Sequence, residues 1–164
     1  MNLLVQNNYL HSDLGRFACA IGRAGLTTNK IEGDHKTPVG EFKFQKIYYR
    51  KDKLGEFSFK IPFAVIQKND GWCDDPKSKQ YNQHIKFPFD ASAEKLFRDD
   101  DLYDLLCVIN HNTDPIVPGK GSAIFLHISK PNFEGTEGCI AIEKENIIEL
   151  AKKIDLTTKL IIKD

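Results

Sequence analysis

Apolar and polar positions alternate cleanly through Glu41–Tyr49, where E-F-K-F-Q-K sends Phe42 and Phe44 to one side and charged or amide side chains to the other. A period of two is the pattern of a half-buried β-strand. Short runs rich in Ile, Val, Leu and Phe predict further strands at Asn2–Val5, Arg16–Ile21, Ile61–Ile66, Tyr103–Asn110, Ser122–Ile128 and Lys159–Lys163. Gly22, Gly25, Gly33, Pro38-Val39-Gly40 and Pro118–Gly121 punctuate them as turns. The period changes to that of a helix over Glu143–Ile154, where Ile147, Leu150, Ala151 and Ile154 fall on one face. Glu143 and Glu145 at its start and Lys152 and Lys153 at its end complement the helix dipole. Ala91–Arg98 reads as a shorter second helix capped by Ser92. The expectation is an α+β, mainly β fold, an antiparallel sheet or sandwich with one or two helices. No repeat, low-complexity tract or linker divides the chain, so residues 1–164 read as a single domain.

Between Asp70 and Asp90 the pattern breaks into a long segment holding the only Trp, the adjacent acids Asp74 and Asp75, and Tyr81-Asn82. Trp72, Phe87 and Phe89 argue against disorder, so this segment is expected to lie as a packed lid over a sheet end.

With 23 basic and 23 acidic residues the net charge is zero, which removes the electrostatic reason for a nucleic-acid or anionic-membrane partner. No stretch approaches the ~18 apolar residues of a membrane span. Asn7, Asn8, His11 and Asp13 interrupt any apolar run of a secretory signal, so a cytoplasmic location is expected. Cleavage from a longer precursor would place the chain in the periplasm instead.

Four cysteines stand far apart with no C-x-x-C pair and no H-E-x-x-H motif, so neither a metal nor a cofactor is expected. Cys19 and Cys107 lie in apolar runs and read as core. Cys139 differs: Thr136-Glu137-Gly138-Cys139 follows a polar loop, and His127 ends an apolar strand twelve positions earlier. A thiol needs a base to become a nucleophilic thiolate, and one strand-loop-strand unit could bring His127 to it. The structural alternative is a buried thiol beside a satisfied core histidine. His84 and His111 have no better claim than surface or structural roles.

Gly33-Asp34 with Lys36–Phe42 (K-T-P-V-G-E-F), the strand Gly121–His127 (G-S-A-I-F-L-H) and Thr136–Cys139 (T-E-G-C) together resemble the L,D-transpeptidase (YkuD-type) catalytic-domain family over nearly the whole chain. Gly71–Asp75, Tyr81-Asn82, Ser92–Glu94 and Arg98–Asp100 are similar to a signal-less branch, whose members are implied to be cytoplasmic L,D-carboxypeptidases of peptidoglycan recycling. The resemblance implies a mostly β catalytic domain, Cys139 as nucleophile, His127 as base, and a backbone carbonyl, near Ile128, orienting the imidazole. Backbone N–H groups at Gly138 and Cys139 are expected to hold the oxyanion. Substrate contacts are assigned to Trp72, Asp74, Tyr81, Asn82, Arg98, Lys130 and Thr136, with Arg98 and Lys130 as carboxylate partners. For Arg98 a solvated face beside Asp99 and Asp100 is the competing reading.

Two positions depart from the family pattern: Glu137 stands where His is frequent, and Ala141 where Arg or Asn is frequent. A carboxylate beside a thiolate raises the thiol pKa, so Glu137 is expected to point away. The loop from His127 to Cys139 is also shorter than in many transpeptidases. The implied substrate is a peptidoglycan stem tetrapeptide or muropeptide, whose acyl group forms a thioester on Cys139. Water as acceptor gives an L,D-carboxypeptidase that releases D-alanine, the reading a cytoplasmic location favours. An amine acceptor gives cross-linking or D-amino acid exchange. A non-catalytic cell-wall peptide-binding module is the alternative from another class.

Overall fold

Strand-forming periodicity dominates the fold as it does the sequence, in a computed structural model that describes all of Met1–Asp164. In chain order the elements are β1 (Asn2–Gln6), β2 (Tyr9–Ser12), β3 (Gly15–Ala20), β4 (Leu26–Thr27), β5 (Thr37–Pro38), β6 (Gly40–Tyr49), α1 (Lys51–Leu54), β7 (Phe63–Val65), β8 (Asp70–Cys73), β9 (His84–Lys86), β10 (Ala93–Lys95), β11 (Leu105–Ile109), β12 (Phe125–Ile128), β13 (Ile140–Ile142), α2 (Lys144–Lys153) and β14 (Lys159–Ile162). Nine strands form the main sheet in the order β11-β12-β13-β3-β2-β1-β14-β6-β7. The long β6 also pairs with β11 from Phe44 to Tyr49, which closes the sheet on itself. The fold is mainly β with two helices, as expected.

Successive strand residues face opposite ways, and here the two faces have separate tasks. Leu105, Cys107 and Ile109 of β11, Leu126 and Ile128 of β12, and Ile140 and Ile142 of β13 enter the larger core. Helix α2 covers that core with Ile147, Leu150 and Ala151, the face predicted by its periodicity. The intervening residues Leu106, Val108 and Phe125 turn to a second, smaller cluster with Tyr48, Trp72, Leu96, Tyr103 and Cys139.

That second cluster lies under a three-stranded sheet, β10-β8-β9. The segment expected as a lid therefore carries strands of its own, and Trp72 anchors it edge-on against Phe125 at 5.1 Å between ring centroids. The helix expected at Ala91–Arg98 is instead strand β10, whose Ala93–Lys95 pair antiparallel with Gly71–Cys73. Helix-forming Ala, Glu, Lys and Leu carry only a weak local preference. Pairing with the open edge of β8 and burial of Leu96 override it.

Candidate active site

Strands β12 and β13 are neighbours and parallel, with Leu126 opposite Ile140 and His127 opposite Ala141. A parallel pair cannot be joined by a tight turn, so the chain must travel back before β13 begins. Residues 129–139 do this, through a 3-10 turn at Pro131–Phe133, and deliver Cys139 one position ahead of β13. Cys139 thus precedes Ala141 by two and shares its face, and His127 emerges on that same face from the next strand. Strands lie about 4.8 Å apart and rise about 3.3 Å per residue, which sets a diagonal of about 8 Å between the two backbones. Ala141, with only a methyl to offer, lines the same cavity as His127 and Cys139.

His127 is 6% exposed, and its Nδ1 lies 2.8 Å from the Ile128 carbonyl. A carbonyl only accepts, so Nδ1 carries the proton and Nε2 keeps a free lone pair. Tyr103 meets the imidazole edge-on at 5.2 Å and fixes its plane. Cys139 Sγ–H donates to the Ala123 carbonyl at 3.1 Å and accepts from Phe125 N–H at 3.3 Å. Burial pushes the thiol up to about 12, helped by the Glu94 carboxylate and opposed by Phe125 N–H and Lys30. Burial likewise lowers His127 to about 4, against the pull of the Ile128 carbonyl. The resting pair is therefore neutral thiol and neutral imidazole.

The turn before the cysteine is built by hydroxyls. Thr136 Oγ1 donates to the Cys139 carbonyl at 2.7 Å and accepts from Gly138 N–H at 3.1 Å. Thr37, fully buried on β5, donates to the Gly138 carbonyl at 2.8 Å and accepts from Gly22 N–H at 2.8 Å. Gly138 has φ +141°, and a Cβ there would sit 3.0 Å from the Lys36 carbonyl oxygen. Only glycine fits. Gly138 N–H already serves Thr136 Oγ1, whereas the Cys139 N–H has no partner within the fold.

Cys139 and His127 open on one cavity of about 380 Å³. Of the expected substrate residues, Asp74, Arg98, Lys130 and Thr136 line it. The Thr136 hydroxyl is committed to the turn. Arg98 grips Asp100 on its own loop through two bonds of 2.6 and 2.8 Å and also lines the cavity. Lys130 lies 3.6 Å from Glu134 at the mouth. Asp74 Oδ1 is buried without a partner.

Trp72, Tyr81 and Asn82 are not on the wall but behind it. Asn82 Oδ1 accepts from Trp72 Nε1–H and Ala123 N–H at 3.0 Å each, while its Nδ2 donates to the carbonyls of His111 and Asn112. That amide pins the segment carrying Ala123, the acceptor of the thiol proton. Tyr81 OH donates to Glu32 at 2.8 Å and accepts from Gly121 N–H at 3.0 Å. Their polar atoms are all used, which leaves nothing for a substrate. Glu137 points to Arg23 and His35, with Arg23 Nη1 at 3.3 Å and His35 Nδ1 in closer contact.

The sequence reading gave no site role to Glu32, Glu94, Tyr103 or Ser122, all on the cavity wall, although Glu94 and Ser122 lie within segments that carry the resemblance. Ser122 Oγ and Tyr81 OH both donate to the same Glu32 oxygen. Only long-range pairing brings these groups together, so no local pattern shows that they share a wall.

A closed, mainly β domain that presents a thiol and an imidazole with a free Nε2 on the wall of one cavity defines a cysteine acyl-transfer enzyme. A family model described as the L,D-transpeptidase catalytic domain, YkuD, matches residues 4–162. The chain belongs to that family. Among solved structures the chain is similar to Bd1075 of Bdellovibrio bacteriovorus, with TM-score 0.51 and 19% identity, covering 99% of this chain. This chain spans 47% of that protein, and the likeness is one of fold. No curated protein matches.

Proposed function

We propose that the protein transfers the acyl group of a peptidoglycan stem peptide from D-alanine to an amine acceptor, as an L,D-transpeptidase. The observation that carries this is the thiol–imidazole pair on adjacent parallel strands, open to a single cavity. Cys139 Sγ attacks the carbonyl of the L,D bond as His127 Nε2 takes its proton. The Cys139 N–H meets the developing oxyanion, a contact worth ~3 kcal/mol. The C–N bond breaks, His127 returns the proton to the departing D-alanine nitrogen, and a thioester remains. An incoming amine reverses these steps. The family description supports an amine acceptor over the hydrolysis expected from sequence, and the carboxylates of Glu32, Asp74 and Glu94 on the wall suit an approaching ammonium.

Hydrolysis to tripeptide is the second reading. It is favoured by the presence on that wall of Asp74, Glu94 and Arg98, which come from the segments similar to the carboxypeptidase branch. Incubation with muropeptide tetrapeptide, with and without an added D-amino acid, separates the outcomes by mass spectrometry. Exchanged or dimeric stems support transfer, and tripeptide supports hydrolysis; both must vanish in Cys139→Ala. An unaltered stem would contradict the proposal.

A further inference from the structure

Glu94 is a cavity carboxylate that takes and gives no proton in the acyl-transfer steps above. It sits on β10 opposite Trp72, on the cavity wall. Tyr103 OH donates to Glu94 Oε1 at 3.1 Å, and the ring of the same tyrosine lies edge-on to His127 at 5.2 Å. One side chain thus orients both the imidazole and the carboxyl. The groups facing Glu94 are Tyr103, Asp74, Glu32, Arg98 and Cys139.

We infer that Glu94 is the base that activates water against the Cys139 thioester, and that it thereby sets how much acyl-enzyme is hydrolysed and how much passes to an amine. The inference rests on the acyl-enzyme of the proposed function. Burial, with Asp74 and Glu32 adding to it and Tyr103 and Arg98 opposing, pushes the Glu94 carboxyl up to about 7. It is therefore about half ionised at neutral pH, and a far stronger base than His127 at about 4. In the step itself, water oxygen bonds to the thioester carbon and Glu94 takes a water proton. The C–S bond then breaks, and the proton passes from Glu94 to Sγ. Thioester and water become carboxylic acid and thiol. An amine acceptor does not need this base, because its proton goes to His127, the reverse of D-alanine departure.

The test is the partition of one shared intermediate. Wild type and Glu94→Gln are given tetrapeptide and a fixed excess of a D-amino acid, and the ratio of tripeptide to exchanged tetrapeptide is measured. Glutamine keeps an acceptor for Tyr103 but is no base, so the ratio should fall about 100-fold or more. If wild type makes tripeptide alone, Glu94→Gln should instead accumulate acyl-enzyme by intact mass. A ratio equal to wild type overturns the inference and leaves acyl transfer standing, as does a wild type that exchanges without hydrolysing. A wild type that makes neither product overturns the acyl-enzyme reading and the inference with it. Tyr103→Phe provides a second arm, which decides the matter if Glu94→Gln fails to fold. Loss of the hydrogen bond that lowers the Glu94 pKa should move the pH midpoint of the ratio upward; an unmoved midpoint overturns the inference.

Discussion

A thiol that donates to the Ala123 carbonyl must hold its proton, and the electrostatics of its surroundings agree, with Cys139 pushed to about 12. Iodoacetamide should therefore alkylate Cys139 slowly from pH 6 to 8 and faster only in strongly alkaline solution. A fast plateau near pH 6 would contradict a neutral resting pair. His127 and Glu94 make opposite predictions for stability. His127 falls from its ordinary 6.5 to about 4 on folding, so between those values the unfolded chain binds a proton that the native one refuses. Its share of stability is lost as pH falls through that window. Glu94 rises from 4.5 to about 7, so its share is lost as pH rises. Each slope approaches ~1.4 kcal/mol per pH unit, and in the wild type they oppose one another between about pH 4.5 and 6.5. Urea unfolding across that range should show His127→Gln tilting the stability curve one way and Glu94→Gln the other. Parallel curves would contradict both assignments.

Among the elements, the crossing from β12 to β13 decides whether a site exists, and Thr37 is its brace. Thr37→Val keeps the shape but strands the Gly22 N–H and the Gly138 carbonyl in the interior. A cost of about 1–3 kcal/mol and a drop in turnover should follow, read by thermal melts and D-alanine release. Trp72 holds the three-stranded sheet on the main one, and Trp72→Ala should cost about 3–5 kcal/mol. Since it contributes no substrate contact, activity measured well below the melting temperature should survive better than stability. Element by element, the sequence was readable where one face is wet. The E-F-K-F-Q-K alternation and the α2 stripe both emerged as expected, because burial on one side imposes a period. Strand β2 escaped notice although a signal existed: Asn7-Asn8 both take positive φ, the residues a tight hairpin turn prefers. Ala91–Arg98 misled because its partner β8 lies twenty residues earlier, beyond any local window.

At the scale of the whole molecule, closure of the sheet brings together walls that the chain supplies from distant places: Glu32 and His35 early, Asp74, Glu94 and Arg98 from the small sheet and its flank, Lys130–Cys139 from the crossing loop. Cys139 and His127 were legible because thiol, glycine and histidine lie within one strand-loop-strand unit. Trp72, Tyr81 and Asn82 were legible as unusual residues but not in their task, since a satisfied amide and a substrate-facing amide look alike in sequence. Glu94 stood out only as part of Ser92–Glu94 and Tyr103 only as a strand residue; their partnership exists only after folding. The account as a whole stands on a covalent bond at one sulfur. Rapid quenching of the protein with stem tetrapeptide, followed by intact mass and peptide mapping, reads that bond directly. The predicted result is an adduct of the stem minus D-alanine on Cys139, absent in Cys139→Ala. No adduct, or one on Cys19, Cys73 or Cys107, would contradict it.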